Sequence, residues 1–260
     1  MRTRWDDGSA GDADYGAIGA AYAHYRRPDS RIAAQIHSAL GAARSVLNVG
    51  AGAGAGAYEP NEREVTPVEP SATMRAQRGP HLAPAIDATA EALPFPDRTF
   101  DAAMATWTVH QWRDLAAGLR EMRRVTRGPV VILTGDPLLL RRFWLERYAP
   151  EVLEVEERRY PGAQTIAEGL GEAVTTTRVP IPLDCTDGFN EAYYGRPEAL
   201  LDPLARRCCS AWSFVAPTVE DRFVHLLARE IQDGTWDERF GQLRSQPSFE
   251  GSLVLLVARG

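Results

Sequence analysis

The chain has 260 residues, 44% of them hydrophobic and 25% charged, which sets aside disordered and fibrous classes and allows one large domain. Its formal net charge is −6, the wrong sign for a nucleic-acid or polybasic membrane binder. All 29 basic residues are Arg, so lysine Schiff-base and P-loop lysine chemistry are absent.

Residues 1–14 read as a polar, disordered leader with no apolar signal segment. Residues 15–43 read as an N-terminal helical cover, with Ile18, Tyr22, Ile32, Ile36 and Leu40 at helical spacing and a break at Pro28. The period then changes. Ser45–Val49, Glu64–Glu69, a weak Ala83–Asp87, Phe100–Thr106, Pro129–Thr134, Val174–Leu183 and Ser252–Ala258 read as strands, with helical stretches such as Leu115–Thr126 between them. That alternation predicts a doubly wound α/β sheet. Residues 44–184 are expected to form the core, 185–251 a helical cap inserted before the last strand, and 252–260 that strand. The longest apolar run, Leu253–Ala258, is too short to span a bilayer, so a cytoplasmic protein is expected. Cys185, Cys208 and Cys209 form no disulfide framework or metal pair, and the five histidines share no ligand spacing; no metal is expected.

The first strand runs into Gly50-Ala51-Gly52-Ala53-Gly54-Ala55-Gly56-Ala57. Glycines here let the backbone turn sharply and approach a ligand, and exposed N–H groups favour a polar or anionic one. Glu69 follows Gly50 by 19 residues, the interval at which a carboxylate meets a ribose in nucleotide-binding βαβ units. The loop therefore predicts an adenosine-type cofactor without choosing among them.

Four segments narrow the choice: Val46-Leu47-Asn48-Val49-Gly50-Ala51-Gly52-Ala53-Gly54, Val68-Glu69-Pro70-Ser71, Ala90–Asp101 (AEALPFPDRTFD), and Val109-His110-Gln111-Trp112. In this order and spacing they resemble the class I S-adenosylmethionine-dependent methyltransferases, methyltransferase type 11 group. The resemblance implies a Rossmann-like seven-stranded sheet whose last strand is antiparallel. It implies S-adenosylmethionine held by Gly50, Ala51, Gly52 and Gly54, by Glu69 at the ribose with Pro70 beside it, and by Thr89, Ala90 and Glu91 around the adenine. Thr106 and Val109 are expected near the sulfonium, and Tyr15, Tyr22 and Arg26 on the covering helix, with Arg26 at the methionine carboxylate. Asn48 stands where the family carries an acid.

His110, on the turn after the fourth strand, is the candidate base. Trp112, Asp136, Tyr193, Tyr194 and Arg196 are candidate acceptor contacts. The expected reaction is methyl transfer to a small molecule, with a natural-product intermediate suggested by the GC-rich composition; neither nucleic acid nor membrane is an expected partner. The rival readings are a same-fold enzyme performing cyclisation or aminocarboxypropyl transfer, a nicotinamide oxidoreductase, and a non-catalytic cofactor-binding protein.

Overall fold

The computed structural model describes residues 11, 13, 22–54, 58–171 and 173–259; Tyr15 and most of the expected leader lie outside them. The N-terminal cover divides at its proline. Helix α1 (Tyr22–Tyr25) ends before Pro28, and α2 (Ser30–Ala39) starts anew at Asp29, whose carboxylate accepts the Arg31 N–H. A side-chain oxygen there satisfies an N–H that a helix start leaves unpaired.

Strand β1 (Ser45–Val49) pairs in parallel with β2 (Glu64–Val68) and with β3 (Ala102–Thr106). Helix α3 (Ala72–Ala76) follows β2, and α4 (Leu115–Val125) joins β3 to β4 (Val130–Gly135). After β4 come α5 (Leu145–Tyr148), α6 (Pro150–Arg159) and α7 (Ala163–Leu170), then β5 (Val174–Arg178) and β6 (Ile181–Pro182). The cap contributes α8 (Pro203–Arg207), α9 (Pro217–Gln232) and α10 (Thr235–Phe240), with 3-10 turns between them. Strands β7 (Ser248–Phe249) and β8 (Leu253–Ala258) end the chain.

The central sheet has six strands, in the order β2-β1-β3-β4-β8-β5, with β8 antiparallel to both neighbours. The expectation of seven strands is corrected at two places. Residues 83–87 make a single bridge, Val68 to Ile86, and no strand. The run 174–183 breaks after Arg178: Pro180 offers no N–H to continue the ladder, and Ile181–Pro182 pairs instead with Ser248–Phe249 in a separate ribbon.

Successive strand residues point to opposite faces, so the sheet divides two apolar cores. Val46, Met104, Val131 and Leu133 meet Ile32, Tyr148, Trp212, Phe223 and Trp236 on the cap side. Leu47, Ala103, Val130 and Ile132 meet Leu119, Met122, Ile166 and Leu170 on the other. The cap is thus packed on one face, beside the carboxyl ends of β1 and β3, where open α/β sheets bind ligands.

Candidate cofactor and acceptor site

The glycine loop turns directly off β1. Gly50 and Ala51 donate their N–H groups to the Val68 carbonyl at 2.8 and 2.9 Å, tying the loop to the end of β2. Gly50 lies at φ +75°, and a Cβ there would sit 2.0 Å from Thr108 Oγ1. Gly52, at φ +55°, donates its N–H to Glu69 Oε2 at 2.8 Å. The other oxygen, Oε1, accepts the Ser71 N–H at 2.8 Å. Two backbone donors thus aim the Glu69 carboxylate at the end of β2, where the cleft opens.

This cleft lies between the loop, Glu69-Pro70, Met74, Ala88–Glu91, Thr106–Thr108 and Trp112, and Tyr22 and Arg26 close it from the cover. Of the residues expected to hold the cofactor, Tyr22, Arg26, Gly50, Ala51, Gly52, Glu69, Pro70, Thr89, Ala90, Glu91 and Thr106 line this one space. Glu91 faces it with its backbone, because its carboxylate accepts the Arg113 and Asp114 N–H groups at 2.7 and 3.2 Å. The acidic ribose position, the side-chain-free loop and the apolar platform at Met74 and Ala88 fit S-adenosylmethionine.

Three expected cofactor residues lie elsewhere. Asn48 is fully buried under the loop, where its amide donates to Glu59 Oε1 at 2.9 Å. Glu59 in turn pairs with Arg78 at 3.0 Å, and Arg78 reaches the Ala51 carbonyl at 3.3 Å. Glu59 and Arg78 thus brace Asn48 and the loop from the far end of the glycine run. Gly54 sits against Leu82, and Val109 points into the core on the α4 face. Arg26 borders the cleft, but its guanidinium is committed to Asp187, with Nε to Oδ1 at 2.6 Å and a second contact at 3.4 Å; that pairing balances the charge expected to face a methionine carboxylate.

A second cavity shares Tyr22, Arg26 and Trp107 with the cleft and extends past His110, Glu156, Tyr160, Phe189, Asn190, Cys208, Cys209 and Ser210. His110 is in this chamber, its ring edge-on to Tyr160 with centroids 4.7 Å apart. Burial holds its pKa well below the ordinary value, and the Arg159 and Arg26 cations lower it further. The imidazole stays neutral and is a weak base.

The expected acceptor contacts do not reach the chamber. Trp112 lines the cofactor cleft and packs over Gly118. Asp136 caps the turn at Pro137–Arg142 by accepting the Leu138 N–H. Tyr193 is covered by the Arg196 guanidinium at 5.5 Å. Tyr194 donates to the Gln246 carbonyl at 2.6 Å and stacks on Phe249, and Arg196 donates to the Cys185 and Ala192 carbonyls. These three side chains staple the cap to itself. Aromatic and Arg residues serve lids and turns alike, so their composition could not separate the two roles. Glu156, Tyr160 and Asn190 carried no local motif, and Trp107 was visible only as a neighbour of His110.

Fold and site together define an α/β enzyme that holds an adenosine cofactor at the carboxyl edge of its sheet. Residues 47–132 match the family model described as a methyltransferase domain, so the chain carries a methyltransferase domain whose cofactor is S-adenosylmethionine. It is similar to a structure from Anabaena variabilis described as a candidate methyltransferase of an antibiotic biosynthesis pathway: 26% identical, TM-score 0.83, covering 90% of this chain and 99% of that one. It shares its fold with the geranyl diphosphate C-methyltransferase of Streptomyces coelicolor A3(2), solved with S-adenosyl-L-homocysteine, at 15% identity and TM-score 0.53, covering 100% of this chain and 91% of that one. A curated relative, the uncharacterized protein YafE of Escherichia coli (strain K12), is 35% identical over 63 residues, which span 22% of this chain and 30% of that protein.

Replacing Glu69 by Gln is expected to weaken S-adenosylhomocysteine about 30-fold, roughly 2 kcal/mol. An amide keeps one acceptor oxygen and sets an NH2 group against either the Gly52 or the Ser71 N–H. Calorimetric titration measures it, and wild-type affinity would remove Glu69 from the cofactor site.

Proposed function

We propose that this enzyme methylates a small-molecule acceptor held in the chamber beneath the helical cap. The observation that carries the reading is the pair of adjoining cavities: the cofactor cleft and the chamber share Tyr22, Arg26 and Trp107 as their common wall. A biosynthetic role is supported by the likeness to the Anabaena protein over 90% of the chain.

Bound S-adenosylmethionine supplies a methyl group already activated on a sulfonium. The chain has then to align the acceptor, exclude water and, where the acceptor carries a proton, receive it. The Trp107 ring separates the two cavities and packs on Phe189 at 4.7 Å between centroids. Arg26 lies 5.7 Å over the same ring and is fixed by Asp187, so this wall is rigid.

The test uses cofactor with a deuterated methyl group, incubated with small-molecule fractions and, separately, with protein and nucleic acid. Label is expected in a small-molecule product by mass spectrometry. Label recovered only in macromolecules would defeat the reading. Homocysteine-cofactor binding with no labelled product would favour a non-methylating reaction on this fold.

A further inference from the structure

Glu156, on α6, lines the chamber and also a smaller cavity that shares Trp107, Tyr160, Phe189 and Asn190 with it. Its Oε1 accepts an amide N–H of Asn190 at 2.8 Å, and Asn190 Oδ1 accepts the Trp212 indole N–H at 3.0 Å. This chain fixes the carboxyl group. Among the described residues no cation pairs with it. Arg159 donates to Ser210 Oγ at 3.0 Å and covers the Phe214 ring, and Arg26 is spent on Asp187. A buried carboxyl with no counter-ion is costly to keep for packing alone.

The walls around it are aromatic: Tyr22, Trp107, Tyr160 and Phe189. Trp107 is held at φ +56°, strained for a residue with a side chain, and its indole N–H has no partner among the described residues. Strain and unpaired polar groups concentrate where a ligand completes the structure. One carboxyl group among aromatic faces is the chemistry that binds an organic cation.

We propose that the methyl acceptor is a small arylalkyl primary or secondary amine that enters as an ammonium ion, and that Glu156 binds it and takes its N–H proton. This rests on the methyl-transfer reading above. The ammonium N–H bond breaks and its proton passes to a Glu156 carboxylate oxygen. The freed nitrogen lone pair forms the new N–C bond as the donor C–S bond breaks, its electrons staying on sulfur. The product leaves as the methylated ammonium, and Glu156 returns its proton to solvent.

The surrounding charges suit that role. Burial raises the Glu156 pKa to about 8; the Asn190 hydrogen bond lowers it, the Glu191 carboxyl raises it and Arg159 lowers it. Burial also raises Tyr160 and Cys209 and lowers His110, so these groups face the site uncharged, and the charges of Arg26 and Asp187 offset each other. At pH 7 Glu156 is mostly protonated, and an arriving ammonium displaces that proton to form an ion pair.

The probes are benzylamine, phenethylamine and tryptamine, titrated calorimetrically into the S-adenosylhomocysteine complex at pH 7, with the matching alcohols as controls. Two buffers of different ionisation enthalpy count protons. At least one amine is expected to bind tenfold or more tighter than its alcohol and to release close to one proton. Glu156→Gln is expected to abolish both effects while leaving S-adenosylhomocysteine affinity unchanged. The variant also reports its own folding. The native carboxyl keeps its proton up to about 8 against 4.5 unfolded, so its stability is full below 4.5 and lost as pH rises through 8. Glu156→Gln should therefore melt higher than wild type at pH 8 and show no gain at pH 4. Amines that bind no tighter than alcohols, or without proton release, overturn the amine site while S-adenosylhomocysteine still binds. Failure of that molecule to bind would instead overturn the methyl-transfer reading, and this proposal with it.

Discussion

Replacing Asp187 by Ala is expected to lower the unfolding free energy by about 3–5 kcal/mol, the cost of stranding one member of a buried ion pair. Asp187 is fully buried and receives three donors: Arg26 Nε at 2.6 Å, a second Arg26 nitrogen at 3.4 Å, and the Tyr58 hydroxyl at 2.8 Å. These arrive from the covering helix and from the segment after the glycine run, while Asp187 belongs to the cap. One carboxylate therefore joins three stretches of chain far apart in sequence. Its loss leaves a guanidinium buried beside Trp107 with no balancing charge. Urea unfolding followed by circular dichroism measures the effect, with the slope watched for a change in compactness. A loss below about 1 kcal/mol, the value of an exposed pair, would mean that the contact is solvated in solution. The double variant Arg26→Met with Asp187→Leu should recover most of the loss, since removing both charges removes the desolvation cost as well. S-adenosylhomocysteine affinity should fall in the single variant, because Arg26 and Tyr22 border the cleft.

Gly50→Ala is expected to cost about 2–4 kcal/mol in stability, combining left-handed strain with overpacking, and to weaken S-adenosylhomocysteine about 100-fold. The added Cβ would lie 2.0 Å from Thr108 Oγ1 and 2.7 Å from Thr108 Cβ, on the turn after β3 that lines the cleft. Either the loop or the turn must move, and both line the site. Gly52→Ala is the control. Its φ of +55° is equally left-handed, but its Cβ would meet only Met74 Cε, at 3.4 Å. That substitution should cost about 1–2 kcal/mol, the left-handed strain alone. Thr108→Ala in the Gly50→Ala background removes two of the three crowding atoms and should recover part of the loss. Equal effects at Gly50 and Gly52 would show that backbone conformation, and not the approach of Thr108, sets the requirement for glycine.

How far the site could be read in advance follows from where each signal resides. The cofactor half is local. Gly50 and Gly52 are demanded by backbone geometry, and Glu69 sits at the end of β2 one βαβ unit away. Motif spacing thus placed most of the cleft residues. Asn48 lies under the loop because its amide donates to Glu59, a contact set by folding. The second chamber, where we place the acceptor, is non-local: His110 comes from the turn after β3, Glu156 and Tyr160 from α6 and its end, Phe189 and Asn190 from the start of the cap, and Cys208, Cys209 and Ser210 from beyond α8.

By itself, the sequence determined the alternation of strands and helices, the glycine turn at the end of β1, an acidic residue at the end of β2 and the family resemblance. Each of these is written in side-chain periodicity or in backbone demands that act over a few residues. The tertiary structure alone decided that residues 83–87 make a bridge and no strand, that Arg26 is neutralised by Asp187, and that Tyr193, Tyr194 and Arg196 brace the cap. It alone brought Glu156, with no counter-ion among the described residues, into a chamber of aromatic walls. Burial and charge balance depend on which distant segments meet, and no local pattern encodes that.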